Sequence, residues 1–232
     1  MTPRATSDQQ LDLWGARPHP DKPGIDLRCC DVAEILAECR GARLVMSDPP
    51  WVYDNAEIPR GDGSMAEIPY SLLDMAGIST HLRAAYDSAA NDAYLLCWCT
   101  WPKLSEWLTA GHDIGWTYKS GGSWHKTSGL GVGFHWRGDT EPLLLYTKGN
   151  PRPFGCIRNG YGSPRQAHSE KPAEWLSQLV EAFTEPGDLV LDVYSGLAPM
   201  ARACLTTGRR YLGAEIDPER HQMAMARLWR NG

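Results

Sequence analysis

Seven short apolar runs, at residues 25–30, 43–48, 93–99, 114–126, 140–147, 188–194 and 209–217, recur along this chain, and helical stretches fill most of the gaps between them. The helical stretches are punctuated in a consistent way. Pro102 opens one that ends at Gly111, Pro199 opens one that ends at Gly208, and Pro172 and Pro218 open two more. Proline fits the first turn of a helix, where its missing N–H has no partner to lose, and glycine fits the left-handed position that ends one. Strands alternating with helices predict an α/β fold, a mostly parallel sheet of about seven strands with helices on both faces.

The remaining segments set the domain limits. Residues 1–24 carry four prolines and no periodic pattern, which predicts a flexible N-terminal tail before a single domain at 25–232. Residues 52–69 contain Pro59, Gly61, Gly63 and Pro69 and read as a loop; 70–90 carry a helical pattern through Leu72, Leu73, Met75, Ile78, Leu82 and Ala85. Six glycines between 121 and 138 predict a mobile connection, and 149–169 reads as irregular. With 232 residues the chain can bury a core without covalent staples. No apolar run approaches the roughly 20 residues that cross a bilayer. The first ten residues lack an apolar stretch after their one arginine, and the expected location is cytoplasmic.

Seven cysteines with no C-x-x-C pair predict reduced, buried thiols and no zinc site. Ten tryptophans against three phenylalanines offer broad stacking faces, although most are expected in the core. The formal net charge is −5, yet residues 100–170 hold eight Lys/Arg against five Asp/Glu. A basic face on an acidic chain suits a nucleic-acid partner.

Two motifs carry chemistry. The first is Ser47-Asp48-Pro49-Pro50-Trp51, at the carboxyl end of the run 43–48, the edge where open α/β sheets bind ligands. An exocyclic amine conjugated with an aromatic ring is a poor nucleophile because its lone pair is delocalised. An Asp48 carboxylate and a Pro49 carbonyl can accept its two N–H bonds and help the nitrogen pyramidalise; the two prolines stiffen the turn, and Trp51 can stack on the base. The second runs from Leu189 through Asp192, Tyr194, Ser195 and Gly196, followed by Gly213-Ala214-Glu215 at the end of the next strand. A small-residue turn after a strand admits a ligand against the backbone, and an acid ending the following strand suits the ribose hydroxyls of an adenosine cofactor.

Together these residues resemble the adenine-N6 methyltransferases over about residues 25–225. The likeness is to the branch that includes the catalytic subunit of the messenger-RNA adenosine methylase and bacterial and phage DNA methylases, in which the catalytic motif precedes the cofactor turn. The resemblance implies a Rossmann-like methyltransferase fold, S-adenosyl-L-methionine as cofactor and no metal. It implies that Asp31 takes the cofactor adenine with Val32 beside it, that Lys171, within His168-Ser169-Glu170-Lys171-Pro172, pairs with the cofactor carboxylate, and that Ser195, Gly196 and Glu215 fall on the turn and the ribose acid. Asp48, Asp192 and Tyr194 complete the expected cofactor wall. Glu141 and Lys148–Pro151 match the segment after the mobile loop. Bacterial members usually read Asp-Pro-Phe-x-Gly-Ser-Gly-Thr at the turn; this chain reads Asp192-Val193-Tyr194-Ser195-Gly196-Leu197-Ala198-Pro199, with one glycine left and a donor lost at Pro199.

The expected activity is methylation of the adenine N6 amine in nucleic acid, DNA ahead of RNA, by base flipping and in-line transfer. Lys119, Trp124, Lys126, Trp136, Arg137, Arg152, Arg158 and Arg165, basic residues interleaved with aromatics, are the candidate polymer contacts. Cytosine-N4 chemistry usually carries Ser at position 48. A small-molecule amine methyltransferase and a nucleic-acid-binding subunit with a degenerate turn are the other readings. A homodimer or a partner subunit is left open.

Overall fold

The computed structural model describes residues 24–50, 72–128, 135, 136, 138–164 and 170–229. The expected tail up to residue 23, the loop 52–69, Trp51, residues 129–134 of the Gly-rich connection, Arg137 and Arg165 lie outside them. Among the described residues eight strands form one sheet: β1 (Ile25–Cys29), β2 (Ala42–Ser47), β3 (Ala89–Trp98), β4 (Thr117–Lys126), β5 (Thr140–Lys148), β6 (Gly160–Ser163), β7 (Leu189–Asp192) and β8 (Arg210–Glu215). Six α-helices accompany them among the described residues: α1 (Val32–Glu38), α2 (Met75–Ser88), α3 (Leu104–Ile114), α4 (Ala173–Phe183), α5 (Pro199–Thr207) and α6 (Pro218–Trp229).

The strand order is β1-β8-β7-β2-β3-β5-β4-β6. Pairing is parallel from β1 through β3, and antiparallel only where β5 meets β3 and β4. The Rossmann-like α/β expectation holds, with one strand more than expected. The additional strand is β6, within the segment 149–169 that reads as irregular because Gly160-Tyr-Gly-Ser has no apolar pattern; backbone pairing to β4 holds it at the sheet edge.

Chain direction explains the placement of the site. From β7 the chain passes through α5 to β8 on one side, whereas from β2 it passes through α2 to β3 on the other. Right-handed crossovers in opposite directions put α5 and α2 on opposite faces and open a crevice at the carboxyl ends of β7 and β2. Strands buried on both faces must be apolar throughout: Leu44, Val45, Val190 and Leu191 have no measurable exposure.

Local signals set the helix ends. Asp31 caps α1, its Oδ1 accepting from Ala33 N at 2.8 Å, and Asp74 caps α2 through Gly77 N at 2.8 Å. The Asp74 cap begins α2 five residues later than the pattern at 70–90 predicts. Four of the seven thiols, Cys39, Cys97, Cys99 and Cys204, are buried as expected, but Cys29 and Cys156 are exposed. Among the described residues no helix is long and apolar enough to cross a membrane.

Candidate active site

The crevice at the switch point is a cleft of about 240 Å³. Its catalytic side is lined by Asp48, Pro49, Pro50, Trp98, Glu141 and Lys171, and its other side by Asp31, Val32, Asp192, Tyr194, Ser195, Gly196 and Glu215. Every described residue expected at the catalytic motif or the cofactor wall therefore meets in one place. Main-chain pairing brings them there: Met46 pairs with Asp192 across β2 and β7, Asp192 with Gly213 across β7 and β8, and Cys29 with Glu215 across β1 and β8.

The Asp48-Pro-Pro strip is anchored at its far end, where Leu73 N donates to the Pro50 carbonyl at 2.7 Å. Among the described residues nothing donates to the Pro49 carbonyl, next to Asp48 in the strip. Lys171 Nζ donates to Asp48 Oδ2 at 2.5 Å, lies 3.3 Å from Glu141 Oε2 and sits 4.8 Å above the centre of the Trp98 ring. Lys126 Nζ pairs with Glu141 Oε1. Burial pushes the Asp48 carboxyl up, and Lys171 opposes that rise. Burial works against the Lys171 cation, but Asp48 and Glu141 outweigh it and hold the ammonium above its ordinary value. Burial also acts against Glu141, where Lys171 and Lys126 prevail and keep it below its ordinary value. The result is two carboxylates and two cations in a partly dry site, each charge matched.

The role implied for Lys171 is therefore incomplete. Its closest partner is the candidate catalytic carboxylate, because β5 carries Glu141 beside Asp48 and the segment before α4 drops Lys171 between the two. The sequence could not show this, since Lys171 and Asp48 are 123 residues apart.

On the other side, Asp192 is pushed up to about 7 by burial, with the Tyr211 hydroxyl opposing. That hydroxyl lies 3.0 Å from Asp192 Oδ2 and 2.8 Å from Ser195 Oγ. Residue 213 must be glycine for this: a Cβ there would stand 2.2 Å from the Tyr211 oxygen. Burial raises Glu215, and the backbone N–H groups of Asp217 and Gly196 oppose the rise. The Tyr194 hydroxyl lies 2.7 Å from His81 Nδ1, on a helix the sequence assigned no role. Arg220 and Met200 also line the cleft.

The candidate polymer contacts divide. Trp124 is fully buried, with Nε1 donating to Ser163 Oγ at 2.8 Å, so its face is closed to a base. Lys126 is committed to Glu141. Because β5 runs antiparallel, its end lies at the start of β3, far from the cleft. Arg152 belongs there, between Asn150, whose N–H donates to Asp92, and Phe154, whose N–H donates to Ala182. Lys119 sits near the start of β4, five ladder positions from the Glu141 level, or about 17 Å. Arg158 and Trp136 are exposed, Trp136 at 88%. His125, set among these residues, pairs with Asp139 at 3.3 Å.

A switch-point cleft with an acid-Pro-Pro strip on one strand and a small-residue turn with a following acid on the next two is set in a Rossmann-like fold of the kind methyltransferases have. Residues 155–226 match the model of the N6/N4 methylase family, described as DNA methylase. It is 27% identical over 151 residues to YubD of Escherichia coli (strain K12), spanning 62% of this chain and 65% of that protein. It is 28% identical over 103 residues to the DNA adenine methyltransferase YhdJ of the same organism, spanning 39% and 35%. The chain thus spans under two thirds of the length of either relative. Among solved structures, the M1.HpyAVI–SAM complex superposes with a TM-score of 0.68 at 18% identity, covering 88% of this chain and 99% of that one. The PvuII cytosine-N4-specific DNA methyltransferase superposes with a TM-score of 0.69 at 13% identity, covering 89% and 86%. Both likenesses concern the fold.

Proposed function

We propose that this chain transfers a methyl group from S-adenosyl-L-methionine to the exocyclic N6 amine of an adenine in DNA. The observation that carries the reading is the placement of Asp48, oriented by Lys171, in the same cleft as Asp31, Gly196 and Glu215. The residues present suit the cofactor. Asp31 uses Oδ1 to cap α1, and its Oδ2 can meet an adenine amine beside Val32. Glu215 faces the cleft as a ribose acceptor, and Gly196, in the left-handed conformation, leaves backbone room beside it. When bound, the cofactor supplies a methyl group on a sulfonium.

The chain's own groups then do three things. Asp48 Oδ1, which has no partner among the described residues, accepts one N–H of the target amine, and the Pro49 carbonyl accepts the other. Held this way, the nitrogen lone pair leaves conjugation and is directed into the cleft. The Asp48 charge stabilises the positive charge that develops on nitrogen, and Lys171 fixes the carboxylate in place. The target base must leave its stack to reach this depth, at a cost of a few kcal/mol. DNA is favoured over RNA by the family description and by the name of YhdJ. Adenine is favoured over cytosine by Asp, rather than Ser, at position 48.

The test is methyl transfer from labelled cofactor to unmethylated DNA and to RNA, with nucleosides resolved by mass spectrometry and Asp48→Ala alongside. N6-methyladenine in DNA, reduced by orders of magnitude in the variant while cofactor binding persists, is the expected result. N4-methylcytosine, a product in RNA alone, or full activity in Asp48→Ala would overturn the assignment.

A further inference from the structure

We infer that His81 is a positioning residue for the cofactor side of the cleft, acting through the hydroxyl of Tyr194; this deepens, and rests on, the S-adenosylmethionine reading above. The two residues belong to opposite halves of the sheet. His81 sits on α2, in the half that carries Asp48, and Tyr194 sits on the turn after β7. Their Nδ1–Oη distance is 2.7 Å, and their ring centres are 5.8 Å apart with a 48° tilt. Both line the cleft together with Asp31. The start of α2 is already tied to the catalytic strip through Leu73 and Pro50. The His81–Tyr194 bond therefore fixes the turn 193–196 against the same helix that anchors Asp48, bridging the crevice from one wall to the other.

The protonation states make the bond directional. Burial lowers His81, with the Asp31 carboxylate opposing, so the imidazole is neutral at pH 7. Burial raises Tyr194, which keeps its proton. The phenol O–H then donates to unprotonated Nδ1, and the ring hydrogen sits on Nε2, which pairs with no described residue. The groups acting on this ring are Asp31, at the start of α1, and Tyr194. Arg83, two positions along α2, is turned away and donates to the Asp113 carbonyl at 2.9 Å. Protonation of His81 converts Nδ1 from acceptor to donor, and the Tyr194 hydroxyl must then turn its hydrogen elsewhere and accept, so the bond persists only with its direction reversed.

Calorimetry with S-adenosylmethionine on the full chain at pH 7.5 and 5.5 tests this, using wild type, Tyr194→Phe, His81→Ala and His81→Asn. Other groups in the cleft titrate as well, so the readout is the difference between variants. Losing one net hydrogen bond predicts affinity about fivefold to tenfold weaker for Tyr194→Phe and His81→Ala at pH 7.5, with a flatter response to pH than wild type. His81→Asn keeps an acceptor near the Nδ1 position but does not titrate, so it should bind close to wild type at pH 7.5 and respond less to pH than wild type does. In the cofactor-free protein, the His81 imidazole followed by nuclear magnetic resonance should titrate below the ordinary histidine value and change when Tyr194 becomes Phe. If Tyr194→Phe binds like wild type with the same pH response, His81 is not a positioning residue and the cofactor reading stands. If wild type itself gives no heat at millimolar cofactor, the cofactor reading fails and this inference fails with it.

Discussion

Lys171 and Asp48, 123 positions apart in sequence, meet at 2.5 Å over the face of Trp98, with Glu141 as the second carboxylate on the same ammonium. A single cation thus joins three elements: the end of β2, the start of β5 and the lead into α4. An acid placed to accept N–H bonds from a base must be ionised and held in one rotamer. Burial disfavours the ionised form and keeps the carboxyl above its ordinary value, and the lysine opposes that rise.

Replacing that lysine should expose both functions. Lys171→Met keeps much of the stem packing on Trp98 but leaves Asp48 and Glu141 with one cation fewer. Breaking a buried pair in this way costs about 3 kcal/mol of stability, which urea denaturation would measure. The Asp48 carboxyl should titrate higher, so methyl transfer should fall at least tenfold at pH 7 and recover partly toward pH 9. A pH–rate profile that keeps the wild-type shape would count against this role for the ion pair.

Asp192 gives a stability prediction with a definite sign. Its carboxyl lies at about 7 in the folded chain, against about 3.9 when unfolded. Between those values the folded chain holds one proton more than the unfolded chain. The contribution is fully present below about pH 4 and is lost as pH rises through 7. Asp192→Asn stays neutral throughout. Wild type should therefore lose stability relative to the variant between pH 4 and 8, by on the order of 4 kcal/mol. Parallel denaturation curves across that range would show the divergence, and a constant difference would refute it.

Gly213 and Tyr211 test the same network from the other direction. Gly213→Ala places a methyl group 2.2 Å from the Tyr211 oxygen and 2.4 Å from Ser195 Oγ, so the phenol must move off Asp192. Tyr211→Phe removes the donor and leaves the ring. Losing a hydrogen bond to a buried carboxyl costs about 1–3 kcal/mol. The alanine variant should lose more, because it adds a steric clash to the same loss. Thermal unfolding of the two variants should rank them in that order.

The fold was legible where the chain wrote its pattern in apolar residues. β2, β7 and β8 are buried runs closed by Ser47-Asp48, Asp192 and Glu215, and both acids and turns signalled where they end. β6 was not legible because an edge strand held by backbone bonds has no need of an apolar face. The acids of the cleft were legible because their roles follow from position at strand ends. Their partners were not. Lys171 finds Asp48 only through the sheet, and His81 precedes the core residue Leu82 on α2 without any mark of its own. Trp124 misled because its neighbours are basic; the alternation of β4 turns its ring inward while His125 faces out. Arg152 misled because proximity in sequence to the cleft segments says nothing of the direction in which β5 runs.

Ala198 closes the cofactor turn in a conformation that alanine rarely adopts. Its φ is 55° and its ψ is 46°, at the N-cap of α5. The left-handed region costs an L-residue about 1–2 kcal/mol. Glycine would remove that strain. It would also lose a fully buried methyl group worth about 0.8 kcal/mol and add about 0.4–1 kcal/mol of unfolded-chain entropy. These terms nearly cancel, so Ala198→Gly should change stability by no more than about 0.5 kcal/mol. Ala201→Gly, equally buried but inside α5, has no strain to release and should lose about 1.5 kcal/mol. Ala198→Val should lose over about 2 kcal/mol, because a branched side chain fits this backbone poorly. Urea denaturation of the three variants would decide the matter. Equal losses in Ala198→Gly and Ala201→Gly would show that the turn carries no strain at position 198.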